Sequence, residues 1–318
     1  MKPFFSIIIP VYNRPEEIDE LLASISAQEY DEPIEVCIVE DGSSEKSDLI
    51  INKYTSELSI QYFETENTGP GSSRNYGMTK AIGNYFIILD SDVILPNNYL
   101  VEITKQLEKK YTDAFGGPDA AHPSFSVLQK AINYSMTSFL TTGGIRGKKK
   151  SVGKFQPRSF NMGLSQKAFD ITKGFSNMRA GEDIDLSFRL WEQGLETQLI
   201  DAAYVYHKRR NSFSGFFQQT FGFGTARPKL NRMYPETVKL TYWFPCIFII
   251  GFDISILLMI LGFNQLLYFY GVYFLLIFLD SLFQNKNVRV AFLSIVTSFT
   301  QFLGYGLGFL ESQFISKK

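Results

Sequence analysis

The chain has 318 residues, of which 45% are hydrophobic and 20% are charged, and its formal net charge is −1 at pH 7. This length allows one large domain or two smaller ones. The two cysteines, Cys37 and Cys246, lie far apart in apolar runs, so we expect them to be reduced and buried, which excludes a disulfide framework. A basic region from Arg146 to Arg232 favours contact with anionic lipids or phosphorylated substrates. No nucleic-acid-binding motif accompanies it, so nucleic acid is not a predicted partner.

Strands and helices are predicted to alternate from the start of the chain to Lys109. The predicted strands are Phe4–Ile9, Ile34–Val39, Ile60–Phe63 and Tyr85–Leu89. The predicted helices are Pro15–Ala27, Lys46–Tyr54, Gly71–Ala81 and Asn98–Lys109. This order predicts an α/β fold, with a mostly parallel sheet and helices on both of its faces.

Polar residues follow three of these strands, in the segments 10–14, 40–44 and 90–92. Ligands of such sheets bind outside the carboxyl ends of the strands, so these segments are expected to line one crevice. Tyr12 can pack on a nucleobase there, and carboxylates can accept protons from a base or a ribose. No glycine-rich phosphate-binding motif follows the first strand, which disfavours an ATPase or a Rossmann dehydrogenase.

The sequence Asp90-Ser91-Asp92 closes the apolar run Tyr85–Leu89. Carboxylates at the end of a buried strand cost desolvation energy unless they have a partner. A divalent cation is a suitable one, because Mg²⁺ and Mn²⁺ prefer oxygen ligands. The alternative interpretation is an ordinary polar turn after a strand.

A second acidic group, Glu182-Asp183, opens a helix that is predicted to end at Glu192. Acids at a helix start are common because they complement the helix dipole. A positioned carboxylate can also remove the proton of an attacking hydroxyl. His207 follows an apolar strand, 203–206, where a histidine is more often structural.

Three apolar runs occupy the last third of the chain: Leu240–Phe263, Gln265–Phe283 and Val290–Leu310. Each is long enough to cross a bilayer, although a buried pair of core helices is the alternative. The third is the least certain span, because polar residues dilute it. The basic stretch before Leu240 and the Lys286–Arg289 loop predict a cytoplasmic location for both. A third span would place Lys317 and Lys318 on the opposite side of the membrane, which conflicts with this charge pattern.

The amino-terminal sequence lacks the features of a signal peptide, so the first domain is expected to face the cytoplasm.

Five segments of the chain, taken together and in this order, resemble family 2 glycosyltransferases of the GT-A fold. They are Pro10–Arg14, Val39–Ser44, Glu66–Gly77, Leu89–Asp92 and Gly181–Leu186. The resemblance covers the chain from Pro3 to His207. One departure is Glu40, which stands where many members carry aspartate and is expected to have a supporting role.

The resemblance implies a role for particular residues on the donor side. Asp92 would bind a metal ion, Mg²⁺ or Mn²⁺, that bridges the donor diphosphate, and His207 would be a second metal ligand. Asp90 would face the ribose, and Asp183 would be the general base with Glu182 beside it. The remaining residues expected to contact the donor nucleoside are Pro10, Tyr12, Asn13, Asp41 and Arg74.

The acceptor side is expected to lie nearer the membrane. The Phe-rich segment after His207 has roughly helical spacing and is predicted to form an amphipathic surface helix. It resembles the membrane-entry region of enzymes that build lipid-linked saccharides, although the Gln-x-x-Arg-Trp signature of processive synthases is missing. The basic loop 141–148 is expected either to approach the acceptor pyrophosphate or to be simply solvated. Residues assigned to the acceptor or phosphate side are Gly163, Arg210, Gln218 and Arg227.

These observations predict three parts: a GT-A domain at 1–210, a membrane-interface segment at 211–238 and two or three transmembrane helices at 239–312. The resemblance implies an inverting, metal-dependent glycosyltransferase of the cytoplasmic membrane, active in envelope or exopolysaccharide synthesis. Its donor would be a nucleotide sugar, with UDP favoured and GDP open, and its acceptor a lipid-linked saccharide. The alternatives are transfer onto polyprenyl phosphate, and a non-catalytic membrane protein that binds sugar nucleotides.

Overall fold

The computed structural model describes residues 3–143 and 154–315. The chain divides into two compact units, one built from Met1–His122 and Lys148–Lys208 and the other from Pro123–Gly147 and Arg209–Lys318. The strands are β1 (Phe5–Val11), β2 (Glu35–Asp41), β3 (Ser59–Thr65), β4 (Tyr85–Leu89), β5 (Val93–Ile94), β6 (Ala114–Gly116), β7 (Asp119–Ala120), β8 (Asn161–Ser165), β9 (Thr197–Leu199) and β10 (Val205–His207). The α-helices are α1 (Pro15–Ser26), α2 (Asp48–Ile51), α3 (Pro70–Lys80), α4 (Tyr99–Lys109), α5 (Val127–Thr137), α6 (Phe139–Thr142), α7 (Gln166–Thr172), α8 (Glu182–Glu192), α9 (Phe213–Met233), α10 (Phe244–Ile260), α11 (Gln265–Asn285) and α12 (Val288–Leu310).

The main sheet of the first unit has the strand order β3-β2-β1-β4-β8-β6-β9. Strand β1 pairs in parallel with β2 and β4, and β2 pairs in parallel with β3. Strand β8 runs antiparallel between β4 and β6. The sheet is therefore mostly parallel, which confirms the predicted fold class.

Helices cover both faces of this sheet. Successive residues of a strand point to opposite faces. Accordingly, Ile7 and Ile9 belong to a core that includes Ile18 of α1, whereas Ile8 packs with Met78 of α3. Because both faces of β1, β2 and β4 are buried, these strands read as continuous apolar runs in the sequence.

A smaller sheet has the strand order β5-β10-β7, and its strand β5 follows shortly after β4 of the main sheet. His207 of β10 pairs antiparallel with Val93, which directly follows Asp92. On its other side β10 pairs in parallel with β7, where Val205 lies opposite Asp119. Two short segments that are remote in sequence, β7 and β10, are thereby brought together with β5, which closely follows the carboxyl end of β4.

The second unit is helical and contains α5, α6 and α9–α12. Three of its segments are long and apolar enough to cross a membrane, judged by length and composition: Leu240–Ile260, Gln265–Asn285 and Val288–Ile315. These are the three apolar runs that the sequence indicated. Helix α9 lies where the Phe-rich segment predicted a helix.

Replacement of Gly77 by alanine is expected to destabilise the first unit. A Cβ atom at Gly77 would lie 2.8 Å from Cγ2 of Ile8 and 3.2 Å from Cγ2 of Val39, so α3 would have to move away from the sheet. We expect Gly77→Ala to cost about 1–3 kcal/mol, as overpacking typically does, and to lower the thermal midpoint measured by circular dichroism in detergent. Thr79→Ala, at an exposed position of the same helix, is the matched control. An unchanged midpoint for Gly77→Ala would contradict this close packing.

Candidate active site

Asp90, Asp92 and His207 form a cluster at the carboxyl end of β4. Each of them places a ligand atom within 4.8 Å of the others. The end of β4 supplies the two carboxylates, and β10 supplies the imidazole, whose ring stacks on Phe160 with 4.8 Å between ring centroids. The structure therefore brings together Asp92 and His207, the two residues assigned to the metal, and adds Asp90 to the group.

Asp92 is held as a carboxylate by two neighbours. Nη1 of Arg14 donates to its Oδ2 at 2.6 Å, and Nε2 of His207 lies 3.2 Å from its Oδ1. Burial on its own would raise the pKa of Asp92, but His207 and Arg14 outweigh burial and hold that pKa well below its usual range. An ionised carboxylate in this position is ready to bind a cation.

The chemistry of this donor set fits a divalent metal ion. Carboxylate oxygens suit Mg²⁺ and Mn²⁺, whereas an imidazole nitrogen favours a transition metal. The combination of Asp90, Asp92 and His207 therefore fits a divalent ion such as Mg²⁺ or Mn²⁺.

Asp119 lies behind His207 and was not identified from the sequence. Its side chain is fully buried, and its Oδ2 lies 3.8 Å from Nδ1 of His207. A carboxylate behind a metal-binding histidine commonly fixes the orientation of the ring. Only the pairing of β7 with β10 reveals this neighbour, because Asp119 is 88 residues away from His207 in the sequence.

The segment after β1 provides the aromatic side of the crevice. Tyr12 is 51% exposed, so its ring is available to a planar ligand. Asn13 instead connects two loops: its Oδ1 accepts hydrogen bonds from the backbone N–H groups of Ser44 and Glu45, at 2.8 and 3.0 Å. Pro10 is buried within β1 and contributes backbone position.

Asp41 uses both carboxylate oxygens to hold the start of α3. Its Oδ1 accepts from the N–H of Thr68 at 2.8 Å, and its Oδ2 accepts from the N–H of Gly69 at 2.9 Å. Gly69 has φ 91°, a left-handed conformation that favours glycine. A contact between Asp41 and a nucleobase remains a prediction, and it would have to coexist with these two bonds.

Arg74 links Asp90, which follows β4, to the start of α8. This guanidinium is buried, with Nη2 donating to Asp90 at 2.6 Å and Nη1 donating to Glu182 at 3.1 Å. Burial on its own would lower the pKa of Arg74, but Asp90 and Glu182 outweigh burial and raise it. Arg74 is therefore a fixed cation that positions two carboxylates.

The two acids at the start of α8, Glu182 and Asp183, have different environments. Glu182 is buried and bound to Arg74, and burial together with the neighbouring Asp183 raises its pKa. Asp183 is less buried: its Oδ1 accepts from the N–H of Ile184 at 2.8 Å, and its Oδ2 lies 3.6 Å from Nη1 of Arg158. Of the two acids, Asp183 is therefore the more accessible.

The residues assigned to the acceptor side fall in different places. Gly163 lies in β8 inside the sheet, where a Cβ atom would overlap the ring of Phe115; an acceptor role for Gly163 remains a prediction. Arg210 and Gln218 are exposed in the second unit. Arg227 of α9 is buried there, with its guanidinium carbon 4.2 Å from the ring centroid of Tyr242. The basic loop 141–148 lies outside the described residues from position 144 onward.

Comparison with known sequences identifies relatives of the amino-terminal region. The model of the family described as Glycosyl transferase family 2 matches residues 6–170. An uncharacterized glycosyltransferase of Rickettsia felis is 39% identical over 118 residues, which are 36% of this chain and 19% of the relative. The poly(ribitol-phosphate) beta-N-acetylglucosaminyltransferase TarS of Staphylococcus aureus is 31% identical over 112 residues, or 34% of this chain and 20% of TarS. The chain thus spans about a fifth of the length of these curated relatives.

Comparison with solved structures supports the GT-A fold that the sequence predicted. A mannosyltransferase of Pyrobaculum calidifontis, in complex with GDP-Man and Mn²⁺, aligns over all of this chain and 89% of its own, with a TM-score of 0.62 and 14% identity. Residues 1–349 of S. aureus TarS, in complex with UDP-GlcNAc, align over 97% of this chain and 91% of that structure, with a TM-score of 0.50 and 17% identity.

Replacement of Asp119 by asparagine is expected to weaken metal binding without removing a ligand. Loss of the carboxylate behind His207 should reduce Mn²⁺ affinity by about 10–100-fold, as measured by electron paramagnetic resonance of free Mn²⁺ during titration. Asp201→Asn, at an exposed position of the same unit, is the matched control and should leave the affinity unchanged. Equal affinities for the two variants would show that Asp119 does not support the site.

Proposed function

We propose that this chain, which belongs to glycosyltransferase family 2, transfers a sugar from a nucleotide-sugar donor to an acceptor at the membrane. The observation that carries the proposal is the cluster of Asp90, Asp92 and His207 at the carboxyl end of β4. In the same unit, Tyr12 is exposed and Asp183 lies in the first turn of α8. These features match what donor binding and hydroxyl activation require.

The donor side would hold the nucleoside diphosphate through a cation. Asp90, Asp92 and His207 would bind Mn²⁺ or Mg²⁺, and the bound ion would offset the charge of the departing diphosphate. Tyr12 would pack on the base. A UDP sugar is the favoured donor and a GDP sugar the alternative, and the two solved relatives support one each, since they were crystallised with UDP-GlcNAc and GDP-Man.

Asp183 would act as the general base. Its carboxylate would take the proton of an acceptor hydroxyl while that oxygen bonds to the anomeric carbon and the bond to the diphosphate breaks. A single displacement of this kind inverts the anomeric configuration. Arg158 beside Asp183 and the Arg74–Glu182 pair behind it would keep the carboxylate in place.

The acceptor would be a lipid-linked saccharide delivered by the membrane, on the cytoplasmic side where nucleotide sugars are available. Support comes from α10 and α11, whose apolar side chains are mostly exposed, and from Arg227. Nη1 of Arg227 is buried and has no hydrogen-bond partner among the residues that the structure describes. A buried guanidinium nitrogen of this kind is suited to the phosphate of a lipid acceptor, with Arg210 and Gln218 nearer the surface.

The most direct test is a panel of nucleotide sugars supplied to the purified protein with a native lipid extract. Released nucleoside diphosphate and labelled lipid would be measured together. Turnover of one donor with label in the lipid fraction supports the proposal. Nucleotide binding with no turnover of any donor would favour the non-catalytic alternative.

Replacement of Asp183 by asparagine should slow turnover by about 10²–10⁴-fold, the usual contribution of a positioned general base. Donor affinity should persist, because the metal cluster is untouched. Both quantities can be measured with the donor that the panel identifies, by released nucleotide and by calorimetry. Asp170→Asn, at an exposed position of α7, is the control.

The result for Asp183→Asn also distinguishes between the two candidate acceptors, a lipid-linked saccharide and polyprenyl phosphate. Near-normal turnover by Asp183→Asn would point to polyprenyl phosphate, because a phosphate acceptor is already ionised and does not need a strong base. Loss of donor binding together with turnover would assign Asp183 to structure or to metal binding.

Replacement of Arg227 by glutamine should raise the KM for the lipid acceptor by about 10-fold or more, the value of a lost charged hydrogen bond. The KM for the donor should not change. Lys229→Gln removes the same charge from an exposed position of α9 and is the control. Equal acceptor KM values for the two variants would argue against a phosphate contact at Arg227.

A further inference from the structure

Helices α10 and α11 form a hairpin, which fixes the side on which their ends lie. The connection between them is only 261–264, so the two helices run in opposite directions. If both cross the bilayer, as the proposed function requires, the start of α10 and the end of α11 lie on one membrane side. The 261–264 connection then lies on the other side.

The first part of α12 lies beside the last part of α11. The hydroxyl groups of Ser281 and Ser294 are hydrogen-bonded at 2.7 Å, and the rings of Phe278 and Phe292 lie 4.8 Å apart. Helix α12 therefore begins on the membrane side where α11 ends.

The last part of α12 lies beside the first part of α10. The ring of Phe309 is 4.8 Å from that of Trp243, which directly precedes α10. Cys246 donates a hydrogen bond to the carbonyl of Gly306 at 3.5 Å. Helix α12 therefore ends on the membrane side where α10 begins, which is the side on which α12 also starts.

We infer that α12 lies along the membrane surface rather than across it, so that only α10 and α11 span the bilayer. Its length and apolar composition qualify it as a span, but its two ends contact the two hairpin ends that share one side. Between them, Phe299 contacts Phe252 of α10 and Phe274 of α11, so α12 crosses the hairpin obliquely.

The packing of α9 on α12 supports the same arrangement. A Cβ atom at Gly304 would lie 2.8 Å from the carbonyl oxygen of Phe217, and one at Gly308 would lie 3.1 Å from the nitrogen of Thr225. The two helices thus run in parallel with their backbones close together. If α12 spanned the bilayer, α9 would enter it as well, with Lys229 among its charged residues. A charged residue at the centre of a membrane helix costs about 2.5–3.5 kcal/mol.

The exposed surface of α12 fits a helix that lies in the interface. In its most apolar stretch, 44% of the residues are buried, against 22% and 11% in the corresponding stretches of α10 and α11. Phe292, Val296 and Leu307 are exposed, and their spacing places them along one side of the helix. An apolar stripe on an otherwise covered helix is the surface that inserts into the boundary between headgroups and acyl chains.

This arrangement also agrees with the charge pattern at the start of α12. Basic residues concentrate on the cytoplasmic side of membrane proteins. Lys286 lies just before α12 and Arg289 lies in its first turn, so with α12 on the surface both of its ends lie on the side that these cations mark as cytoplasmic.

The test is cysteine labelling of the full chain in sealed inside-out membrane vesicles with a membrane-impermeant maleimide. Arg289→Cys reports the start of α12, Glu311→Cys and Phe314→Cys report its end, and Asn264→Cys reports the 261–264 connection. All four positions are exposed. The parent chain gives the background, because both of its cysteines are buried. Labelling is expressed relative to that in detergent.

We expect Arg289→Cys, Glu311→Cys and Phe314→Cys to be labelled in intact vesicles and Asn264→Cys to be protected until detergent is added. Protection of Glu311→Cys and Phe314→Cys together with Asn264→Cys would show that α12 spans the bilayer and would overturn the inference. Labelling of all four in sealed vesicles would overturn the spanning hairpin, and with it the membrane part of the proposed function. Neither result depends on sugar transfer, so failure here is separate from failure of the catalytic proposal.

Discussion

The arrangement of the first unit depends on the need to balance carboxylates that crowd the carboxyl ends of its strands. Asp90, Asp92 and Glu182 are all half-buried or buried, where an unpaired charge is strongly unfavourable. Arg14 and Arg74 reach them from the β1 loop and from α3. Because these cations belong to the fold, the chain itself balances the charge of these carboxylates.

Much of the fold could be predicted from the sequence, because β1, β2 and β4 are buried on both faces and appear as apolar runs. Strand β3 was also predicted, and the apolar segment 203–206 overlaps β10. Strands β5, β6, β7 and β9 could not be predicted, since β5 and β7 have two residues each and β6 and β9 have three. Segments this short carry no periodicity, and only long-range pairing defines them. The predicted helix Lys46–Tyr54 was too long: only Asp48–Ile51 is α-helical, and Asn52–Glu57 continue as turns.

The candidate site, too, could be predicted from the sequence only in part. Asp92 and Asp183 could be singled out because they stand in motifs that resemble a known family, and His207 could be singled out because the resemblance extends as far as that residue. Their roles remain predictions. Asp119 and Arg14 could not be assigned their roles, because each acts through a residue that is remote in sequence. The difference between Glu182 and Asp183 was also hidden, since adjacent acids look alike until the hydrogen bond from Arg74 to Glu182 shows which of them is already engaged.

The Arg74 bridge has a consequence for how this family can vary. One buried guanidinium pairs with both Asp90 and Glu182, so neutralising either acid leaves a buried cation with less compensation. Homologues that lose one of these acids are therefore expected to replace the arginine as well. The residues at positions 74, 90 and 182 should therefore vary together in an alignment of homologues. They do so although they lie in three different parts of the fold and Glu182 is separated from Arg74 by 108 residues.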